Sequence, residues 1–104
     1  MTKRFAALAA ALLLGAAACT GGSGASGAAL FATHCAGCHP AGGNTINPEK
    51  TLARRHREAN GIRSADDVAA YIRNPGRGMP AFHEGMIPPA DAVKIGEYVV
   101  TAFR

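Results

Sequence analysis

The sequence, 104 residues long, predicts an all-α fold of about four short helices in one small domain. From Gly27 onward, apolar residues recur at three- and four-residue intervals, and no stretch alternates as a strand would. Prolines and glycines cut this region into short segments, each opened or closed by a residue suited to that end. Aromatic residues make up 6% of the chain and tryptophan is absent, so an ordinary core would be thin. A domain this small is expected to need something besides side chains in its middle.

The N-terminal segment stands apart from that fold. Lys3 and Arg4 precede an apolar run from Phe5 to Ala18, which suits an export signal and falls short of the ~20 residues of a membrane span. Residues 1–18 are therefore read as a signal peptide, with Ala16, Ala17 and Ala18 fitting its cleavage site. The stretch "LLLGAAACTGG" resembles a bacterial lipoprotein signal, although Ala16 stands where that pattern usually has leucine. The resemblance implies a lipid anchor on Cys19; the alternative is ordinary cleavage at the same alanines. Residues 19–26 read as a Gly/Ser-rich tether and residues 27–104 as the folded domain. The expected location is the periplasm, at the surface of a membrane where Cys19 is lipidated. Without Lys3 and Arg4, nine basic residues face seven acidic ones, a net charge of +2 rather than the +4 of the whole chain. That balance carries no basic stripe of the kind nucleic acid would require.

The first helix is expected in "GAALFATHCAGCH", where Gly27, Leu30, Phe31 and then His34 or Cys35 fall at helical spacing. The second is expected in "NPEKTLARRHREANG", with Pro48 at its start, Glu49 in its first turn and Gly61 as its stop. Its slight apolar content places it on the surface. In "SADDVAAYIRNPG", Ser64 and Asp67 form a capping-box pattern, Val68, Tyr71 and Ile72 a buried stripe, and Pro75 with Gly76 a terminator. Pro88 and Pro89 open the last helix, in which Ala92, Ile95, Gly96, Val99 and Phe103 share one face. Gly96 lowers helix propensity, so it is expected where another helix approaches closely, with Gly27 as the matching small residue. Met86, just before that helix, is expected to pack as an apolar staple.

Chemistry concentrates in "HCAGCH". Cys35, Cys38 and His39 form C-x-x-C-H, the pattern for covalent attachment of a c-type haem. Two intervening residues separate the thiols as addition across the two haem vinyl groups requires, and His39 follows at once with an imidazole for the iron. A zinc site would want further paired ligands, yet only His34, His56 and His83 remain, irregularly spaced. A thioredoxin-like dithiol would follow a strand, and a plain disulfide leaves His39 unexplained. Downstream, "NPGRGMPAF" sets Met79 between Gly78 and Pro80, a poor place for a core methionine and a good one for a thioether approaching iron. Met79 is the expected sixth ligand. Met86, His83, His56 and His34 are the competitors, with His83 and His56 expected to face solvent and His34 to be partly exposed beside the attachment site.

The stretches "LF", "HCAGCH", "AGGN", "NPEKTL", "GMPAF" and "IGEYV" occur in the order found in class I cytochromes c, and the chain resembles that family over nearly all of residues 27–104. Within it the resemblance is to the small carriers of algal and cyanobacterial photosynthesis and their bacterial relatives. It implies helices wrapped around one covalent haem c, with first and last helices crossing near Gly27, Phe31, Gly96 and Tyr98. It also implies thioether links at Cys35 and Cys38 and axial ligation by His39 and Met79. Pro40 after His39, and Tyr71 where photosynthetic members often have glutamine, depart from the pattern.

The expected function is one-electron transfer between redox protein partners by a monomer, not an enzyme. The alternatives are a gas sensor or enzyme with a displaceable Met79, and a tethered haem module of a larger membrane complex. Arg54, Arg55, Arg57 and Arg63 read either as a solvated helix face or as partners for haem propionates or an acidic redox protein.

Overall fold

The computed structural model describes residues 22–104. Four α-helices follow one another among these residues: α1 (Gly27–His34), α2 (Arg54–Ala59), α3 (Ala65–Tyr71) and α4 (Pro89–Ala102), with a short 3-10 turn at Pro40–Gly42. No strand occurs among the described residues.

Local sequence explains most of these boundaries. Ser26 caps α1 through its hydroxyl, which accepts from the Ala29 N–H at 3.1 Å. At α3 the capping box forms as expected: the Ser64 hydroxyl accepts from Asp67 N–H at 3.1 Å, and the Asp67 carboxylate accepts from Ser64 N–H at 3.1 Å. It also accepts from Arg63 N–H at 2.9 Å, and these backbone donors hold its carboxyl below the usual range. α4 opens on Pro89, where a missing N–H costs nothing.

The second helix departs from expectation. It begins at Arg54, not at Pro48, because the residues between are claimed by Asn44. That side chain accepts from the N–H groups of Ile46 and Asn47 at 2.9 and 2.8 Å and donates to the Lys50 carbonyl at 2.9 Å. Local side-chain bonding of this kind competes with helix. Gly61 does terminate the region, at φ +74°.

α4 is the spine against which α1 and α3 pack. The core comprises Leu30, Phe31, Val68, Ile72, Ile87, Ala92, Ile95 and Val99. Tyr71, expected in the buried stripe, is only half-buried, and Ile87 rather than Met86 is the residue that packs ahead of α4: Ile87 is 1% exposed and Met86 49%. Phe31, Tyr98 and Phe103 form an aromatic cluster with ring centroids 5.2 to 5.8 Å apart.

The close helix contacts are real, but their pairing differs from expectation. A side chain at Gly27 would collide with the Lys94 carbonyl, so α1 crosses α4 at Gly27, Lys94 and Tyr98. Gly96 lies one face away, against the backbone of Ala65 at the start of α3. Two glycines therefore serve two crossings. Ahead of α1, residues 22–26 of the predicted tether are partly docked: Ala25 packs on the core and Ser23 bonds to Asp91.

Gly96→Ala should lower stability by about 1–3 kcal/mol, because backbone at Ala65 has to give way and overpacking outweighs the ~1 kcal/mol gain in helix propensity. Chemical denaturation of the two proteins measures the difference.

Candidate functional site

Backbone bonding continues past the end of α1. Cys35 and Ala36 N–H groups donate to the Phe31 carbonyl at 2.8 and 2.9 Å, and Cys38 and His39 N–H groups to the Cys35 carbonyl at 3.2 and 2.9 Å. Residues three and four apart on such a turn share one side. Cys35, Cys38 and His39 accordingly all line a single cleft. The cleft encloses roughly 1150 Å³ of space free of protein atoms, part of it open to solvent.

His39 is fixed by its own neighbourhood. Its Nδ1 lies 2.7 Å from the Gly43 carbonyl oxygen, which only accepts, so Nδ1 carries a proton and the neutral ring has its lone pair on Nε2. Iron- or zinc-binding histidines are typically oriented by such a bond.

Met79 reaches the same cleft from the loop between α3 and α4. Gly78 before it adopts φ +86°, a conformation that favours glycine. The loop is clamped at both ends. The Tyr71 hydroxyl accepts from Gly76 N–H at 3.3 Å, and Arg73 donates from Nη1 to the carbonyls of Phe82 at 3.0 Å and Ile87 at 2.7 Å. Phe82 N–H closes on the Ile72 carbonyl at 2.8 Å. Neither Tyr71 nor Arg73 carries a sequence signal for that role, since each sits at the end of an unremarkable helix.

The other predicted residues separate. His83 is exposed and outside the cleft, as expected, and Met86 is also outside it. His34 is half-buried beside Phe82, with ring centroids 6.1 Å apart, and lines the cleft. His56 corrects the expectation of a solvent-facing ring: it is half-buried on the cleft wall. Its Nδ1 accepts from Thr51 N–H at 3.1 Å and lies 2.6 Å from the Thr51 hydroxyl.

The arginine group also divides. Arg54, Arg55 and Arg63 are exposed, with Arg54 bonded to Glu58 at 2.9 Å. Arg57 is buried at 4% exposure, donating from Nε to the Leu52 carbonyl at 2.8 Å and from Nη2 to the Phe103 carbonyl at 3.1 Å. It reaches the cleft wall as well.

The donor set decides among cofactors. Burial pushes the Cys35 thiol up to about 11, the opposite of the lowered value a dithiol exchanger needs. Among the described residues no three His, Cys, Asp or Glu side chains converge as a metal cage, which disfavours zinc. Two thiols, an oriented imidazole and a thioether around an apolar cleft fit a covalently held haem.

A family model described as cytochrome c oxidase, cbb3-type, subunit III matches residues 22–99. Cytochrome c6 from Synechocystis is 43% identical over 76 residues, covering 73% of this chain and 62% of that protein's own length. Cytochrome c6 from Bumilleriopsis filiformis is 36% identical and is covered over 87% of its length. Among solved structures, OmcF, outer membrane cytochrome F from Geobacter sulfurreducens, is 77% identical with a TM-score of 0.75 over 76% of this chain and all of that one.

Arg57→Lys should cost about 1–3 kcal/mol, because lysine keeps the charge but cannot serve both carbonyls as the planar fork does. A lower denaturation midpoint checks this.

Proposed function

The chain belongs to the class I c-type cytochromes, small proteins with one covalently bound haem c, and on that premise we propose that it is a one-electron carrier of the periplasm. In this reading Cys35 and Cys38 would hold the haem through thioethers, and His39 and Met79 would ligate its iron. The observation that carries it is the His39 Nδ1 bond to the Gly43 carbonyl at 2.7 Å, made while Met79 lines the same cleft. An imidazole held this way presents Nε2 without a competing proton. When bound, haem supplies a one-electron couple at iron, raised in potential by His/Met ligation.

The protein's own residues do the rest. Phe31, Ile72, Ile95 and Val99 wall the cleft with apolar surface and exclude water from it. The clamps on the loop keep Met79 in place, so little has to move when charge changes. With two protein ligands engaged, no position is left for a substrate, which supports a carrier rather than an enzyme. Its partners are redox proteins that donate and accept the electron, and the carrier is a monomer. Cys19, outside the described residues, bears a lipid that ties the domain to a membrane facing the periplasm; the relative named an outer membrane cytochrome supports this.

A second reading, a tethered haem module of a larger complex, is favoured by the subunit family that residues 22–99 match. Native protein isolated from membranes should come away alone if it is a diffusing or anchored carrier, and with stoichiometric partners if it is a module.

Met79→Ala should leave the haem attached by mass while opening a coordination position. Its potential should fall by on the order of 0.1 V or more, within the ~0.8 V that axial ligands span. An unchanged spectrum and potential would remove Met79 from the ligand set.

A further inference from the structure

The segment before α1 meets α4 in ascending register. Ser23 N–H donates to both Asp91 carboxylate oxygens at 3.1 and 3.2 Å, the Ala25 carbonyl accepts from Lys94 Nζ at 3.3 Å, and Gly27 rests on Lys94 and Tyr98. The segment therefore runs in the same direction as α4, with Ser23 beside the first turn of that helix. We propose that the end of the domain where α4 begins rests against a lipid bilayer, with the Ser23–Asp91 bond as the latch that fixes this orientation. The inference rests on the lipid anchor at Cys19 proposed above.

Chain length makes the constraint effective. Ser23 stands four positions after Cys19, a reach of at most about 14 Å when extended. α4, with 14 residues, is about 21 Å long. A tether free as far as Gly27 would reach about 28 Å and let the domain invert; the latched one is shorter than the helix it is fastened to. The latch is also built into the fold, since Asp91 is 2% exposed and Ser23 lies 68 positions away.

The two ends of α4 suit opposite surroundings. Met86, just ahead of Pro88, is an exposed apolar side chain with no packing role, while Ile87 beside it fills the core. At the far end Arg54, Arg57, Arg63 and Arg104 line a hollow with Val100, and Glu58, paired to Arg54, is the one carboxylate side chain among them. Charge alone would draw that cationic end toward an anionic membrane; the short latched stalk holds it outward, toward soluble partners.

Hydroxyl-radical labelling of the full-length, lipidated holoprotein on phosphatidylethanolamine/phosphatidylglycerol vesicles tests this by mass spectrometry. Oxidation of Met86 should be several-fold slower on vesicles than in soluble Cys19→Ser protein, while Phe103 at the far end is labelled equally in both. Ser23→Pro, which deletes the donor N–H, should stay on vesicles and lose the protection. A Gly-Ser insert after Gly21, which lengthens the stalk and leaves the Ser23–Asp91 bond intact, should do the same. Equal Met86 oxidation in bound and soluble protein overturns the orientation and leaves the anchor standing, and protection that survives both stalk changes overturns the latch. Failure of the unaltered protein to bind vesicles overturns anchor and orientation together.

Discussion

Five of the eight apolar side chains buried among the described residues, Phe31, Val68, Ile72, Ile95 and Val99, also line the cleft. The same surface that holds the helices together is the surface offered to the cofactor. Little core remains behind it: Leu30, Ile87 and Ala92. A domain this small gains less per residue from burial than a large one, so a group filling the cleft stabilises the fold directly. Cofactor binding and folding are one interaction here. The helices need be only long enough to present walls, which is why α2 and α3 are as short as six and seven residues.

With so little core, precision at the cleft has to come from hydrogen bonds near its edges. One bond orients His39, and three others tie down the loop that carries Met79. These three bonds run to side chains at the end of α3, Tyr71 and Arg73, and Phe82 N–H adds a fourth to the Ile72 carbonyl. Ordering a methionine-bearing loop costs conformational entropy, and anchoring both its ends to a helix already packed on α4 meets that cost at folding rather than at each electron transfer. Gly78 allows the tight approach between those anchors.

The parts of this arrangement legible in the sequence are those with short-range physics. Ser64 and Asp67 cap α3 because both partners lie within one turn, and C-x-x-C-H reports its geometry because three and four residues apart means the same side of a turn. What escaped depends on contacts distant along the chain or on competition between local options. Asn44 holds residues 46–50 out of the helix that Pro48 promised. Gly96 signalled a close approach correctly, but nothing in its own segment names Ala65 rather than Gly27 as the neighbour. Arg57 sits among exposed arginines of the same type, and only the return of the C-terminus to its guanidinium buries it. Met86 and Ile87 are adjacent and equally apolar, so pattern alone could not choose between them.

Asp91 and Arg57, the two buried charged residues among those described, are 2% and 4% exposed and have no ion-pair partner. Burying an unpaired charge is ordinarily expensive. Their positions explain the tolerance. Asp91 lies in the first turn of α4, where the helix dipole is positive, and receives Ser23 N–H. Arg57 donates to the carbonyl of Phe103, the residue that ends the same helix, where the dipole is negative. Each charge has the sign that its end of α4 favours, and each is satisfied by backbone rather than by a mobile counter-ion. The same two bonds bring distant chain segments to the spine: the segment ahead of α1 at one end, and α2 with its preceding loop at the other. α4 thus does with its two poles what its apolar face does along its length, and the cleft keeps its shape because both ends of its longest wall are held.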